Sequence, residues 1–199
     1  MPERICLFGG TFDPIHKAHI RIAQEALAAF HLDRVVFVPA GNPPHKDPAS
    51  LAPFEDRLRM VELACKGNPR FEVSRMEAGC ERSYTVDTVA RFAQCLHAGD
   101  RLFFLIGSDA FDEVETWHKW QELVRLTEFI VVARPGHEYR RPPGALVHKL
   151  DGLALPVSSS GIRSRLATGG PTPELSHAIR RYIDAHGLYG APVKGLLLE

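Results

Sequence analysis

Short apolar runs alternate along this chain with stretches of helical periodicity, and this alternation narrows the range of folds more than any other feature. The runs are Ile5–Phe8, Val35–Val38, Phe71–Val73, Leu102–Ile106 and Phe129–Ala133. Strands that are apolar at every position are buried on both faces, which is typical of a parallel sheet covered by helices. The sequence therefore predicts an α/β fold, with a Rossmann-like open parallel sheet and helices on both faces.

Helical patterns fill the gaps between the apolar runs. They cover Ile20–Phe30, Phe54–Cys65 after Pro53, Thr85–Leu96, Ser159–Ala167 and Leu175–Ala185. Gly187 follows the last pattern and is predicted to be its C-cap, because glycine tolerates the left-handed conformation that ends many helices. Val147 and Leu153–Leu155 are predicted to form short strands.

Length and composition limit the class of protein. A chain of 199 residues fits one domain, which we expect over residues 1–190, with a tail at 191–199 that lacks a clear periodic pattern. The formal net charge is +0 and no apolar run is long enough to span a bilayer, which argues against nucleic-acid and membrane partners. The 4 cysteines show no C-x-x-C pairing, so we expect reduced thiols in a cytoplasmic protein.

The join between the first apolar run and the first helix carries the strongest chemical signal. Residues 9–19 read GGTFDPIHKAH, so a buried strand runs into a glycine turn, and His16 and His19 follow at a predicted helix start. Residues three apart share a helix face, and a helix N-terminus offers unpaired N–H groups and the positive end of its dipole. Two imidazoles at such a position predict a site that stabilises a charged phosphate.

Polar or glycine-rich segments also follow three other predicted strands. Asn42–Lys46 follows the second run, Gly107–Asp109 the fourth and Arg134–Gly136 the fifth. In an open parallel sheet, ligands bind outside the carboxyl ends of the strands, where the strand order reverses. We therefore expect these segments to line one ligand site together with residues 9–19.

Two further segments place polar groups at predicted helix starts. Residues 157–163 read VSSSGIR: the serines can cap backbone N–H groups, and Arg163 one turn later can bind phosphate oxygens with two N–H groups. Thr85 begins another helix, where its hydroxyl and nearby N–H groups could receive a carboxylate. Neither a P-loop nor a G-x-G-x-x-G fingerprint is present, which argues against a P-loop NTPase or a dehydrogenase.

In their order along the chain, these segments resemble the motifs of the H-x-G-H nucleotidyltransferases. The string GGTFDPIH is most similar to that of the bacterial nicotinate mononucleotide adenylyltransferases, and the resemblance extends to PPHK at 43–46, SYTVDT at 83–88, GSD at 107–109, WH at 117–118 and the serine segment. One departure is Ala18, which stands where the family has glycine between the two histidines. Alanine is small and a better helix former than glycine, so we expect it to be tolerated.

The resemblance implies an enzyme that moves AMP from ATP to nicotinate mononucleotide, giving deamido-NAD and pyrophosphate without a covalent intermediate. It implies that the catalytic groups around the triphosphate are His16, His19, Lys46 and Arg163, with Mg²⁺ on the phosphate oxygens. The ATP-binding residues it implies are Gly9, Gly10, Thr11, Phe12, His16, His19, Gly107, Arg134, Ser159 and Arg163.

The same resemblance implies four residues for the second substrate. Thr85 would bind the nicotinate carboxylate, Asp109 the ribose and Trp117 the pyridine ring, while His45 would assist Lys46 near the phosphates. An indole is a suitable platform for a flat, electron-poor ring. Of the two tryptophans, we expect Trp120 to be the core residue.

Two other functions stay open at this point. A phosphopantetheine adenylyltransferase of the same fold would share the two histidines, although SYTVDT and Trp117 argue against it. A catalytically silent nucleotide-binding protein would be expected to have lost His16, His19, Lys46 or Arg163, and all four are present. The histidines show no spacing typical of a metal-dependent hydrolase, and the pattern leaves a homo-oligomer open.

Overall fold

A computed structural model describes residues 1–44, 46–133, 138–151 and 157–191. Its six strands are β1 (Arg4–Gly10), β2 (Arg34–Pro39), β3 (Phe71–Val73), β4 (Arg101–Gly107), β5 (Glu128–Val132) and β6 (Val147–Leu150). They form one sheet in the order β3-β2-β1-β4-β5-β6, and every neighbouring pair is parallel. The predicted α/β class and open parallel sheet are confirmed.

Seven helices and three short 3₁₀ turns connect the strands within the described residues. The helices are α1 (Lys17–Ala29), α2 (Phe54–Cys65), α3 (Thr85–Ala93), α4 (Ser108–Asp112), α5 (Trp120–Leu126), α6 (Ser159–Ala167) and α7 (His177–His186). The 3₁₀ turns are Pro48–Ser50, Val114–Thr116 and Leu188–Gly190.

The sheet is buried on both faces, as the apolar runs predict. Cys6 and Phe8 point into the cluster that packs the sheet against α1, α2, α6 and α7, whereas Ile5 and Leu7 point into the cluster beneath α3, α4 and α5. Successive residues alternate between the two clusters because side chains of a strand alternate between faces. Burial of Cys6 raises the pKa of its thiol, and all four cysteines are free thiols.

Several boundaries differ from the sequence prediction, each for a local reason. Helix α1 begins at Lys17, where the two histidines predict a helix start, and three residues before the apolar pattern that starts at Ile20. Helix α3 ends at Ala93, and Leu96 lies in the turn beyond it. Helix α7 begins at His177 rather than at Leu175, since Ser176 caps it by accepting the N–H of Ile179.

Of the other elements, some are confirmed as predicted, two helices were not predicted, and some predicted segments lie outside the described residues. The bounds of α2 and α6 and the C-cap at Gly187, which has φ 61°, are confirmed. Helices α4 and α5 were not predicted, because segments of 5 and 7 residues carry too little periodicity. The predicted strand at Leu153–Leu155 and most of the tail at 191–199 lie outside the described residues.

Candidate active site

The carboxyl ends of β1, β2 and β4 open into one cleft with a volume of about 770 Å³. β1 lies between β2 and β4, so the strand order reverses here, which is where open parallel sheets bind ligands. Seven of the residues singled out from the sequence line this cleft: Gly9, Gly10, Thr11, Lys46, Thr85, Gly107 and Trp117. The structure thus brings together segments that are far apart along the chain.

The two histidines of the first motif lie side by side at the start of α1. His16 is the N-cap, and its backbone N–H donates to Nδ1 of His19 over 3.2 Å. The two rings are stacked, with centroids 3.8 Å apart. The N-cap position gives both imidazoles access to the positive end of the helix, as the spacing predicts.

Burial keeps both imidazoles neutral in the unliganded protein. It lowers the pKa of His16 to about 4, against an opposing effect of the Glu174 carboxylate. It lowers the pKa of His19 well below its usual range, and the neighbouring His16 lowers it further. Within the described residues, Nδ1 of His16 is a buried atom without a hydrogen-bond partner. A phosphate placed against these rings would favour their protonated form.

Tight packing around the glycine turn fixes the backbone that leads to the histidines. Phe12 is buried in the left-handed region, with φ 48°, and its ring lies edge-on to His19 at 5.2 Å. A Cβ atom on Gly10 would come within 3.0 Å of the Phe12 ring, and one on Gly9 within 3.1 Å of Phe104. Phe12 therefore supports His19 from behind rather than lining the cleft.

The N-terminus of α6 is fastened to the same turn. Ser158, not Ser159, caps this helix by accepting the N–H of Gly161 over 3.2 Å. The Ser159 hydroxyl donates to the carbonyl of Pro14 over 3.0 Å, and Nη1 of Arg163 donates to the carbonyl of Asp13 over 2.8 Å. These bonds place the start of α6 and its arginine beside the start of α1.

A buried arginine that the motif analysis missed ties the turn to the loop after β2. Arg57 of α2 is 1% exposed, and its guanidinium donates to four carbonyl oxygens, those of Thr11, Ala40, Gly41 and Ala52. The spacing of residues in α2 could have revealed it. Arg57 lies three residues before Met60 and four before Val61, which places it on the buried face of the helix. An arginine on an apolar face needs partners of this kind.

The cations near the turn influence one another. Burial lowers the pKa of Lys46, the neighbouring Arg163 and Arg57 lower it further, and the Asp13 carboxylate opposes them. Asp13 also opposes the lowering of the Arg57 pKa that burial causes. Three cations therefore surround one buried carboxylate, which leaves this end of the cleft suited to a polyanion.

The opposite wall of the cleft is built from the start of α3 and the segment before α5. Thr85 is the first residue of α3 and follows its N-cap, Tyr84. The ring of Tyr84 stacks on His118 with centroids 4.3 Å apart, next to the half-buried Trp117. An aromatic surface and a helix N-terminus thus lie close together, which suits a flat ring that carries a carboxylate.

Glu77 is a second residue that the motifs did not reveal. It is 7% exposed, lines the cleft, accepts a 2.6 Å hydrogen bond from the Thr88 hydroxyl and accepts the N–H of Gly41. A Cβ on Gly41 would lie 2.0 Å from the Glu77 carbonyl oxygen, so only glycine fits there. Glu77 thereby joins α3 to the loop after β2.

The other predicted site residues stand as follows. Asp109 lies in α4 and is exposed. Trp120, which we expected in the core, is only partly buried and packs at the edge of the cluster beneath α3 to α5. His45 and Arg134 lie outside the described residues. Among residues 1–44, 46–133, 138–151 and 157–191, no group of three or more His, Cys, Asp or Glu side chains could hold a metal ion.

Within the same ranges, no helix is both long enough and apolar enough to cross a membrane.

Comparison with known proteins shows the family of this chain. The sequence model of the cytidylyltransferase-like family matches residues 7–165. A protein of Solibacter usitatus named as a probable nicotinate-nucleotide adenylyltransferase is 50% identical over 186 residues, which cover 94% of this chain and 99% of that protein. A protein of the same name from Neisseria meningitidis is 44% identical over 94% of this chain and 98% of its own length.

Solved structures show the same fold. The Plasmodium falciparum nicotinic acid mononucleotide adenylyltransferase complexed with NaAD superposes with a TM-score of 0.79 at 21% identity, over 96% of this chain and all (100%) of that one. The same protein complexed with APC gives a TM-score of 0.77 at 21% identity, with the same coverage.

Proposed function

The chain belongs to the nicotinate-nucleotide adenylyltransferases of the cytidylyltransferase-like family, and we propose that its cleft transfers AMP from ATP to nicotinate mononucleotide, giving deamido-NAD and pyrophosphate. The observation that carries the proposal is a cleft lined by the glycine turn and Lys46 on one side and by Thr85 and Trp117 on the other, where the turn leads to two adjoining helix starts at His16 and Ser158. The first side suits a triphosphate and the second a pyridine carboxylate. The reported relatives give no support to a phosphopantetheine substrate.

The reaction we propose is a single in-line displacement. A phosphate oxygen of nicotinate mononucleotide forms a bond to the α-phosphorus of ATP, and the bond from that phosphorus to the bridging oxygen of the β-phosphate breaks. The attacking oxygen is already anionic at neutral pH, so no general base is needed. The protein has to align two polyanions and neutralise the charge that develops between them.

The histidines and the cations around the glycine turn would align the phosphates and neutralise their charge. His16 and His19 would bind the triphosphate, with His19 nearest the α-phosphate, and Lys46 and Arg163 would share the negative charge. Both imidazoles are neutral before ATP arrives, and the negative charge of the phosphates would favour their protonated, donating form. ATP would also contact the glycine turn, and further residues that we assign to ATP are Gly107, Arg134 and Ser159. Phe12, which the sequence assigns to ATP, is buried behind the turn and would act by supporting His19.

The aromatic side of the cleft would hold the acceptor. The N–H groups at the start of α3, with the Thr85 hydroxyl, would bind the nicotinate carboxylate, and Trp117 would stack on the pyridine ring. Asp109 would bind a ribose, and His45 would lie near the phosphates with Lys46. In this proposal, the helix start at Thr85 is what makes the protein prefer nicotinate mononucleotide to nicotinamide mononucleotide.

Mg²⁺ would accompany ATP in this scheme. The described residues hold no cluster of acidic or histidine ligands, and the side chains around the turn are cationic, so we expect phosphate oxygens to be the main ligands of the ion. Bound there, it would neutralise charge on the phosphates. Four free thiols and the use of ATP support a cytoplasmic setting.

A substrate panel tests the proposal. Pyrophosphate release is measured with ATP and Mg²⁺, and with nicotinate mononucleotide, nicotinamide mononucleotide or phosphopantetheine as acceptor. We expect strong turnover with the acid and little with the amide. Equal turnover with acid and amide would remove the carboxylate site at Thr85, and turnover with phosphopantetheine alone would overturn the proposed reaction.

A further inference from the structure

A buried carboxylate lies in the glycine turn, and the proposed reaction does not use it directly. Asp13 is 1% exposed. Its Oδ1 accepts a 2.7 Å hydrogen bond from the hydroxyl of Tyr189 and a 3.2 Å bond from the N–H of Ala52. Its Oδ2 has no hydrogen-bond partner among the residues that the structure describes. The tyrosine gives the shorter of the two hydrogen bonds to this carboxylate, and a hydrogen bond to a buried carboxylate is strong because water is excluded.

The same residue holds the arginine that we assign to the triphosphate. Nη1 of Arg163 donates to the main-chain carbonyl of Asp13 over 2.8 Å and lies 3.7 Å from the orphaned Oδ2. The Arg163 side chain is 33% exposed, so its other N–H groups can still reach a ligand. The contacts with Asp13 therefore determine how closely the Arg163 guanidinium lies against the turn.

Tyr189 reaches this position from the other end of the chain. It lies in the 3₁₀ turn Leu188–Gly190, 176 positions from Asp13, and adopts the left-handed conformation with φ 59°. That conformation costs a residue with a side chain about 1–2 kcal/mol, so the rest of the fold must hold it there. Burial and the Asp13 carboxylate raise the pKa of Tyr189, so its hydroxyl stays a donor.

We propose that Tyr189 is a positioning residue for adenylyl transfer, whose hydroxyl holds the Asp13 carboxylate so that Arg163 stays available to the ATP triphosphate. This inference rests on the proposed function. Without the hydroxyl, Oδ1 keeps only the longer bond from Ala52, and the buried charge must find another donor. Arg163 is the cation at 3.7 Å, so it would close onto the carboxylate and withdraw from the phosphates.

The test compares two tyrosine-to-phenylalanine variants. Tyr189→Phe removes the hydroxyl that Asp13 accepts, and Tyr182→Phe removes a matching one, which donates to Oδ1 of Asp56 over 2.8 Å between α7 and α2. Each protein is measured for kcat, for KM of both substrates and for the Kd of a non-hydrolysable ATP analogue. We expect Tyr189→Phe to raise the KM and Kd of the ATP ligands by roughly fivefold to tenfold. The KM for nicotinate mononucleotide should stay unchanged, as should every constant of Tyr182→Phe.

A double variant separates positioning from loss of structure. Asp13→Asn keeps the main-chain carbonyl that Arg163 contacts but removes the charge that would draw the arginine back. Asp13→Asn with Tyr189→Phe should therefore recover much of the affinity for the ATP analogue that Tyr189→Phe alone loses. Wild-type affinity in Tyr189→Phe, or no recovery in the double variant, would overturn the inference. Lack of adenylyl transfer by the wild-type protein would instead count against the proposed function, since binding of the analogue is measured separately.

Discussion

At the scale of single residues, the proposed phosphate site depends on two imidazoles that would gain a proton when a ligand arrives. Burial lowers the pKa of His16 and of His19, so both rings are neutral before a phosphate binds. Negative charge beside them reverses that preference. The stacked pair can therefore pack as neutral rings in the free protein and become donors beside a triphosphate, at the cost of some acid sensitivity of the fold.

That sensitivity gives a first prediction, on His16. Its pKa is about 4 in the folded protein against 6.5 in a model peptide, so the unfolded chain takes up the proton first as the pH falls. The contribution of His16 to stability is present above about pH 6.5 and is lost toward about pH 4, by up to roughly 3 kcal/mol. Urea titrations should show that His16→Gln loses less unfolding free energy over this range than the wild-type protein. Equal losses of unfolding free energy in His16→Gln and the wild-type protein would contradict the lowered pKa of His16.

A second prediction concerns the pair of tryptophans. Both tryptophans pack against the cluster beneath α3 to α5, and of the two Trp117 also lines the cleft. Trp117→Ala should raise the KM for nicotinate mononucleotide by roughly tenfold or more, because stacking on an aromatic platform is worth about 1–3 kcal/mol. Trp120→Ala is the matched control, and it should lower the melting temperature while leaving that KM unchanged. A similar KM in both variants would remove the stacking role of Trp117.

At the scale of elements, the starts of α1 and α6 are joined through one short turn. Ser159 donates to Pro14, and Arg163 donates to the carbonyl of Asp13, so α6 cannot shift without moving the residues just before His16. Helix α2 adds a third link through Arg57, which binds the segments after β1 and β2. The residues that we propose to bind phosphate therefore lie on elements that are hydrogen-bonded to one another, and not on independent loops.

Arg57 gives the prediction at this scale. Arg57→Met keeps the bulk of the side chain but leaves four carbonyl oxygens without their donor, which should cost roughly 3 kcal/mol or more of unfolding free energy. Arg59→Met, on the same helix, removes an exposed ion pair to Glu62 and should change stability by no more than about 0.5 kcal/mol. Urea unfolding of both variants checks this, and equal losses would show that the buried contacts of Arg57 contribute little.

At the scale of the whole molecule, the cleft spans two sides that are built on different faces of the sheet. Helices α1, α2 and α6 pack on one face, α3 to α5 on the other, and the cleft opens at the carboxyl ends of β1, β2 and β4. A ligand that fills both sides connects the two packing layers. Its binding should stabilise the fold as a unit, because any ligand of the folded state raises the apparent stability by mass action.

Thermal unfolding with ligands tests this view. We expect deamido-NAD, which would occupy both sides of the cleft, to raise the melting temperature more than an ATP analogue or nicotinate mononucleotide does at the same concentration. A smaller shift with deamido-NAD than with nicotinate mononucleotide alone would contradict the placement of the two substrates in one continuous cleft.

Features that depend on residues close together along the chain can be predicted from the sequence, whereas contacts between distant segments cannot. Apolar runs such as Leu102–Ile106 reveal a buried parallel sheet, because burial on both faces leaves no polar positions. The two histidines and VSSSGIR predict phosphate binding, because helix starts are local features. The contact between Asp13 and Tyr189 joins residues 176 positions apart. The hydrogen bond from Gly41 to Glu77 depends on how two loops pack. Neither contact can therefore be predicted from a short stretch of sequence.

The most direct test of the account is the rate of deamido-NAD formation by His19→Ala under single-turnover conditions, with nicotinate mononucleotide and ATP saturating. His19 lies in the first turn of α1, stacked on His16 and in edge-on contact with Phe12. Loss of one preorganised donor to the developing charge should slow formation by on the order of 10²–10³-fold. A rate near that of the wild-type protein would contradict the central claim that this helix start stabilises the transition state of adenylyl transfer.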